Sequence, residues 1–256
     1  MKRLMLVNDN FIHERKQPAG LDPYSIALSY LSPIIKKLLI ILLVVCCSVF
    51  TYAQTTTEQQ QADYKKAITE RSAKIVNTLG ITDSANYKRT LEEIANQYFN
   101  LNDIQQQNKS AVDAIKAKAL PKEEETAAIQ KEEEKKSSQL LQLHNAFVAH
   151  IKGRLTDSQV DQVKDGMTYR VFPITYTAYL DMIPTLTTEQ KAQIYDWLKE
   201  AREVAMDAES SDKKHAMFGI YKGRINNYLS KAGYDMKKEG EDWQKRIKER
   251  EQAKAQ

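Results

Sequence analysis

The chain has 256 residues, and its 38 basic and 34 acidic residues give a formal net charge of +4. Six basic and three acidic residues lie within positions 1–53, so the remainder holds 32 basic against 31 acidic residues, which excludes the strongly basic surface of a nucleic-acid binder. Both cysteines, Cys46 and Cys47, also precede residue 54, so the rest of the chain excludes disulfides, thiol nucleophiles and thiolate metal ligands.

Residues 1–53 have the pattern of a leader with a secretory signal peptide at about 34–53. Two lysines precede an uncharged, Leu/Ile/Val-rich run at 38–50, and a small residue follows for cleavage near Ala53. The run is shorter than the roughly 20 apolar residues of a membrane span. We therefore expect a periplasmic or secreted protein that meets the membrane only for export. Lipid anchoring at Cys46 or Cys47 is the alternative.

Glycine is scarce and β-branched alternation is absent, which predicts an all-α, single-domain helical bundle over 54–250. A first helix is expected at 57–79 with Gly80 as its stop, and a second at 84–119 with Asp83 as its cap. After a turn at Pro121, residues 122–138 are mixed in charge and have almost no apolar face. This pattern predicts a long projecting helical hairpin that is polar over 103–138. Its tip would contact a protein partner or only solvent. Residues 251–256 are expected to fray.

Two later helix starts share the pattern Leu-Thr-x-x-Gln. In each, a threonine stands at the N-cap position and a glutamine three residues later, which is the capping box. The two boxes are Thr156–Gln159 and Thr187–Gln190. Ser210 or Ser211 is expected to cap a further helix that ends at Gly233, and Asp235 to cap the last one.

The helix expected at 211–232 carries two glycines, Gly219 and Gly223, opposite its apolar stripe. Glycine inside a helix costs about 1 kcal/mol relative to alanine, so we expect a close approach to the backbone there. Either another helix crosses at short distance, or a shallow ligand groove lies beside the glycines. The polar candidates for the walls of such a groove are His215, Lys222, Arg224, Asn226 and Asn227.

Aromatic residues supply the other binding candidates. Tyr176 and Tyr179 have helical spacing, which favours core anchors with polar tips, while sugar stacking is the alternative. Tyr169 and Arg170 follow Gly166 in an irregular stretch, and such stretches carry function more often than helices do.

Four carboxylates recur along one ridge of the helix after Thr187: Asp196, Glu200, Glu203 and Asp207. We interpret this ridge as a solvated acidic face, with cation ligation or an acid/base pair as the alternative. His144 is interpreted as a partly buried structural histidine. Zinc-protease, serine-hydrolase and phosphate-loop motifs are absent, so the sequence predicts no catalytic residue, metal ligand or cofactor, although an enzyme is not excluded.

Three strings in the second half carry a family resemblance. They are DGMTY at 165–169, WLKEARE at 197–203 and KGRINNYL at 222–229. Over about 60–250 the chain resembles an uncharacterised, secreted domain-of-unknown-function family from glycan-degrading, Bacteroidetes-type bacteria. That family is loosely described as sugar-binding and accompanies polysaccharide-utilisation genes, so the resemblance implies a carbohydrate role without assigning site residues. The Leu-Thr-x-x-Gln boxes are similar to those of Spy-like periplasmic chaperones.

Three functions follow as hypotheses. The first is non-catalytic oligosaccharide binding in polysaccharide utilisation, near His215, Lys222 and Asn226 with one or more of the tyrosines. The second is a Spy-like chaperone or envelope-stress protein. The third is an enzyme acting on glycans through His215 and a carboxylate.

Overall fold

A computed structural model describes residues 58–254 of the chain. The chain divides into two compact units, residues 1–63 and residues 64–256, and the apolar cores and clefts described below belong to the second. The predicted leader, its signal peptide, its cysteines and the cleavage point at Ala53 lie outside the described residues. Within the described part the regular structure is entirely helical, so the predicted all-α fold is confirmed.

Eight helices follow one another along residues 58–254. They are α1 (58–76), α2 (Ser84–Ala117), α3 (Lys122–Lys152), α4 (Asp157–Met167), α5 (Val171–Met182), α6 (Thr188–Met206), α7 (Ser211–Lys231) and α8 (Met236–Lys254). The last helix reaches Lys254, so residues 251–254, expected to fray, are helical. None of these helices combines the length and apolarity that crossing a membrane requires.

Local side-chain bonds fix the helix starts as predicted. Both capping boxes form, because the Thr156 and Thr187 side chains accept from the backbone three residues on while Gln159 and Gln190 accept in return. Asp83 likewise accepts the first N–H groups of α2. Each such cap stabilises a helix by about 1 kcal/mol, since it satisfies backbone donors that have no partner within the helix.

The first apolar core lies among α1, α2, α3 and α4. Its buried members recur every three to four residues on each helix, which is why these segments form amphipathic helices. They are Ile68, Ile75, Val76, Leu79, Ile94, Ala95, Tyr98, Phe147, Ile151, Leu155, Val160, Val163 and Met167, with Met206 from the end of α6.

A second apolar core is built from the later helices. The helix α6 packs against α7 and α5, and α8 packs against α5 and α7. The buried residues of this second core are Phe172, Tyr179, Ile183, Leu186, Ile194, Leu198, Ala201, Ala205, Phe218, Ile225 and Leu229. The packing of α4 against α6 links the two cores.

The two longest helices, α2 and α3, pair with each other beyond the first core. No residue between Leu101 and Phe147 is buried, so this part has no apolar core. Two polar contacts cross it at Asn108, whose Nδ2 donates to the backbone oxygen of Glu132 at 3.2 Å and whose Oδ1 accepts from Lys136 Nζ at 3.5 Å. Polar helix faces therefore extend over the region predicted as a hairpin.

Candidate binding cleft

The nine residues predicted from the sequence as ligand contacts are divided among four places. Tyr169 lies in the turn between α4 and α5 and stacks on His215 of α7, with ring centroids 5.6 Å apart and planes 14° apart. Arg170 follows it in the same turn and is exposed. Tyr176 packs edge-on against Tyr195, 5.3 Å between centroids. Ligand contact by these residues stays a prediction.

Tyr179 joins two of the predicted residues of α7. Its hydroxyl donates to Asn226 Oδ1 at 2.7 Å and lies 3.4 Å from the backbone oxygen of Lys222. Burial raises the pKa of Tyr179 to about 12, so the phenol stays protonated. This arrangement matches the interpretation of Tyr179 as a core anchor with a polar tip. The three residues share a cleft of about 340 Å³ with Trp243 of α8.

Arg224 and Asn227 lie in the fourth place, facing α6. The guanidinium carbon of Arg224 is 4.4 Å from the ring centroid of Trp197, a close cation–π contact, and its terminal nitrogen is 3.8 Å from Glu200. Both residues line a shallow cleft of about 590 Å³ together with Gly223. The arginine is thus engaged within the protein.

The two glycines of α7 do not mark a helix crossing. A Cβ atom built at Gly219 or Gly223 would meet nothing within 4 Å, so the interpretation of close helix packing is wrong at both positions. Gly166 of α4 has that role instead, because a Cβ atom there would lie 2.8 Å from Cγ1 of Ile75 on α1. The short approach of α1 to α4 therefore requires glycine at position 166.

The acidic ridge of α6 is only half solvated. Asp196 and Glu200 are exposed, as expected for such a face. Glu203 and Asp207 are not, because their side chains are 30% and 19% exposed and contact groups on neighbouring helices. The interpretation of a uniformly solvated acidic face is wrong for these two. No group of three His, Cys, Asp or Glu side chains in residues 58–254 is arranged to hold a metal.

His144 of α3 is held between the two partly buried carboxylates. Its Nδ1 lies 3.0 Å from Asp207 Oδ2 and its Nε2 lies 3.5 Å from Glu203 Oε2, which also accepts from Lys164 Nζ at 2.7 Å. The carboxylates of Asp207 and Glu203 accept hydrogen bonds from the His144 ring and raise its pKa to about 9. Burial alone would raise the pKa of Glu203, but His144 and Lys164 outweigh burial and lower it to about 2. At neutral pH the histidine is a structural cation.

Arg202 is a buried cation beside this cluster, with its side chain 1% exposed. Its guanidinium donates to Asp161 at 2.6 Å and Asp165 at 2.7 Å, both on α4, and lies 5.1 Å from the ring centroid of Phe172. Burying a cation is costly unless carboxylates compensate it. The bonds therefore fix the end of α4, and with it the turn that carries Tyr169.

The turn after α4 is strained. Tyr169 and Arg170 both have φ of +57°, a left-handed conformation that residues other than Gly, Asn and Asp seldom adopt. The Arg170 N–H donates to the backbone oxygen of Asp165 at 2.7 Å, which holds the turn closed. Backbone strain of this kind, of order 1–3 kcal/mol per residue, concentrates at functional sites.

The strained turn places the Tyr169 side chain in the wall of a cleft of about 600 Å³, which we call the Tyr169 cleft. Its walls come from α1, α2, α3 and the start of α7. The lining residues are Tyr64, Ile68, Arg71, Tyr98, Leu101, Asn102, Gln105, Gln106, Asn108, Lys109, Val112, Asp113, Lys116, Glu133, Lys136, Tyr169, Ala208, Glu209, Ser210, Ser211 and Lys214. A second cleft of about 840 Å³ lies across Arg71 and Tyr169, toward Lys74 and Arg170.

Aromatic rings and amides share the Tyr169 cleft. Tyr64 and Tyr169 are 38% and 37% exposed, whereas Tyr98, which lines the same cleft, is buried. Four side-chain amides, at positions 102, 105, 106 and 108, line the same volume. Such a cleft combines flat apolar surfaces with groups that both donate and accept hydrogen bonds, which suits a ligand that carries many hydroxyls.

Lys214 lines the Tyr169 cleft and is 4% exposed. Its Nζ donates to the backbone oxygens of Ala205 at 3.0 Å and Met206 at 2.6 Å, two carbonyls in the last turn of α6. Burial lowers its pKa to about 8; Asp207 opposes that shift and Arg71 adds to it. The lysine therefore ties α7 to α6 and adds positive charge to the cleft.

Sequence reasoning missed Arg71, Arg202 and Lys214. Two of them carry a detectable signal. Lys214 lies four residues before Phe218 on the buried stripe of α7, and Arg202 lies four residues after Leu198 on the buried stripe of α6. A charged residue in an apolar stripe predicts a buried ion with partners. Arg71 lies on an exposed helix face and has no such signal.

The fold and the cleft define an all-α protein with a polar, tyrosine-lined cleft. Residues 65–249 match the family described as "Protein of unknown function (DUF3826)", and the chain belongs to this family. No curated protein matches the chain. The resemblance to a domain-of-unknown-function family is thereby confirmed, while the bacterial group, the sugar-binding role and the similarity to Spy-like chaperones stay predictions.

Proposed function

We propose that this protein binds oligosaccharides in the Tyr169 cleft. One observation carries the proposal: two half-exposed tyrosine rings and four side-chain amides line the same 600 Å³ volume. The proposed binding surface therefore differs from the one predicted from the sequence. The sequence indicated the polar strip of α7, whereas the Tyr169 cleft lies at the N-terminal start of α7. Tyr169 and the neighbouring His215 are the predicted residues that remain near it.

The chemistry of the lining fits a sugar ring. The C–H face of a pyranose is apolar and packs on an aromatic ring, which Tyr64 and Tyr169 offer. Neighbouring ring hydroxyls both donate and accept hydrogen bonds, and a side-chain amide does the same with two donors and one acceptor. Asn102 and Gln105 are one helical turn apart on α2, which allows both to contact one ligand.

The cleft is also pre-organised. Tyr169 is fixed by its strained backbone, by its stack on His215, and by the guanidinium of Arg71, 6.0 Å from its ring centroid. A rigid side chain loses little conformational entropy on binding, which favours affinity. The hydrogen bonds from Arg202 to Asp161 and Asp165 hold the end of α4, which leads directly into this turn.

A calorimetric titration against neutral and acidic fragments of plant polysaccharides tests the proposal. Tyr169→Ala removes the ring from the cleft and is expected to weaken binding at least tenfold. Stacking on the aromatic ring and burial of its apolar surface together contribute about 1.5 kcal/mol or more. Tyr195→Ala is the matched control, because Tyr195 is also 37% exposed but lies outside the cleft. Its affinity should equal that of the wild type.

Two outcomes contradict the proposal. The first is no binding to any fragment of the panel. The second is an equal loss of affinity in the Tyr169→Ala and Tyr195→Ala variants, which would mean that the loss reflects general destabilisation. Thermal unfolding of both variants, measured beside the titrations, separates folding from binding.

A chaperone role is the second candidate, supported by one apolar surface. Leu141 and Val204 are 61% and 47% exposed and line one cleft of about 680 Å³ together with Met217. Exposed apolar side chains grouped in this way mark surfaces for apolar segments. We expect Leu141→Ser with Val204→Ser to reduce any suppression of client aggregation, while Tyr169→Ala leaves suppression unchanged. No suppression by the wild type at equimolar ratio would exclude this role.

A further inference from the structure

The Tyr169 cleft carries excess positive charge. Each of its three carboxylates already has a lysine partner: Asp113 and Glu133 pair with lysines of the cleft itself, and Glu209 pairs with Lys213 outside it. Three cations of the cleft form no ion pair with any residue in the described range 58–254. These cations are Arg71, Lys116 and Lys214.

Arg71 is oriented by aromatic rings instead of by a carboxylate. Its guanidinium carbon lies 5.7 Å from the ring centroid of Tyr98 and 6.0 Å from that of Tyr169. Cation–π contacts hold the plane of the guanidinium without occupying its N–H donors. Among residues 58–254 it has no hydrogen-bond acceptor, so its planar set of donors remains free for a ligand.

Lys214 places a second positive charge in the lining of the same cleft. Its side chain is buried, with 4% exposure, and the two backbone oxygens that accept its hydrogen bonds are neutral. Burial is the main cause that lowers the pKa of Lys214; Asp207 opposes it, and the positive charge of Arg71, which lines the same cleft, adds to it. A bound anion would reduce this repulsion.

We propose that the saccharide bound in the Tyr169 cleft is anionic and that Arg71 contacts its negative group. This inference rests on the proposed function and names the class of saccharide. A carboxylate of a uronic acid and a sulfate ester both present the oxygen pair that a guanidinium binds with two parallel hydrogen bonds. The tyrosine rings would receive the apolar face of the same or the adjacent sugar.

The test compares matched ligands on the full chain. A uronate tetrasaccharide, its carboxyl-reduced neutral counterpart and a sulfated tetrasaccharide are each titrated by calorimetry. A charge-assisted hydrogen bond contributes about 1.5–3 kcal/mol, so the acidic ligands should bind roughly 10- to 100-fold more tightly than the neutral one. The ratio of uronate to sulfate affinity identifies which anion the cleft favours. The preference should shrink as NaCl is raised, because salt screens the attraction.

Arg71→Gln assigns the preference to one residue. We expect it to bring the acidic and neutral affinities to within a few-fold of each other while neutral binding persists. Lys74→Gln is the control, because Lys74 carries the same charge three residues further along α1 and lines the other cleft. It should leave the preference intact. Both side chains are exposed, so both variants are expected to fold.

The failures of the two proposals are distinguishable. Equal affinity for the acidic and neutral ligands, or an unchanged preference in Arg71→Gln, would overturn the anionic assignment while oligosaccharide binding stands. No binding of any of the three ligands would overturn the proposed function and this inference with it.

Discussion

At the scale of single residues, Tyr169 and Arg170 are the unusual feature of this molecule. Two consecutive side-chain-bearing residues adopt the left-handed conformation between α4 and α5. Glycine would adopt it without steric cost, yet neither position has glycine. The strain is retained where a tyrosine ring is presented to a cleft, which supports the proposed binding role, since strain of this kind concentrates at functional sites.

The strain predicts that glycine at position 170 stabilises the fold. Arg170→Gly should raise the free energy of unfolding by about 1 kcal/mol, because the left-handed conformation costs other residues roughly 1–2 kcal/mol. Lys199→Gly, at an exposed position inside α6, is the control and should lower it by about 1 kcal/mol. Urea unfolding measures both. A loss of stability in Arg170→Gly as large as that in Lys199→Gly would show that the turn is not strained.

His144 predicts a particular pH dependence of stability. Its pKa is raised to about 9 in the folded protein, so its contribution is full below its ordinary value of 6.5 and is lost as the pH rises through about 9. Glu203 acts in the opposite direction, because its pKa is lowered to about 2 and its contribution is lost as the pH falls from 4.5 toward that value. The cluster of His144, Glu203, Asp207 and Lys164 is therefore most stabilising at about pH 5–6.

The comparison of His144→Gln with the wild type measures this dependence. The difference in unfolding free energy should be largest at pH 5–6 and should decline steadily toward pH 9. His150→Gln, at a histidine whose side chain is 61% exposed, controls for the loss of an imidazole as such. A His144→Gln difference that stays constant from pH 5 to pH 9 would mean that the histidine is not held as a cation.

At the scale of helices, the starts were predictable from the sequence and the packing was not. A capping box lies within four consecutive residues, so Thr156–Gln159 and Thr187–Gln190 can be identified without knowing the fold. A glycine in a helix is ambiguous, because it marks close packing at Gly166 and open space at Gly219. Only the neighbouring helix distinguishes the two, and the sequence does not state which helix that is.

The glycines give a matched test of this distinction. Gly166→Ala should lower the free energy of unfolding by about 1–3 kcal/mol, because the new methyl group would overlap Ile75. Gly219→Ala and Gly223→Ala should each raise it by about 1 kcal/mol, since alanine favours the helix and no atom obstructs the methyl group. Destabilisation by alanine at position 219 or 223 would restore the interpretation of a close contact there.

At the scale of the whole molecule, the candidate site arises from distant parts of the chain. The Tyr169 cleft combines α1, α2, α3, the turn after α4 and the start of α7, so its lining extends from Tyr64 to Lys214. The sequence identified Tyr169 because the irregular stretch after Gly166 interrupts helical periodicity. It did not identify Arg71 or the amides of α2, because polar residues on an exposed helix face have the same pattern whether or not a ligand contacts them.

The position of the bound ligand is the central claim, and the two tryptophans of the chain make it measurable. Trp197 and Trp243 line the clefts that contain Arg224 and Lys222, respectively, and neither lines the Tyr169 cleft. A ¹H–¹⁵N NMR titration with the oligosaccharide that binds best would follow both indole N–H signals and the backbone amides. We predict shifts at Asn102, Tyr169 and Lys214 with both indole signals unmoved. Shifts of an indole signal without shifts in the Tyr169 cleft would contradict the account.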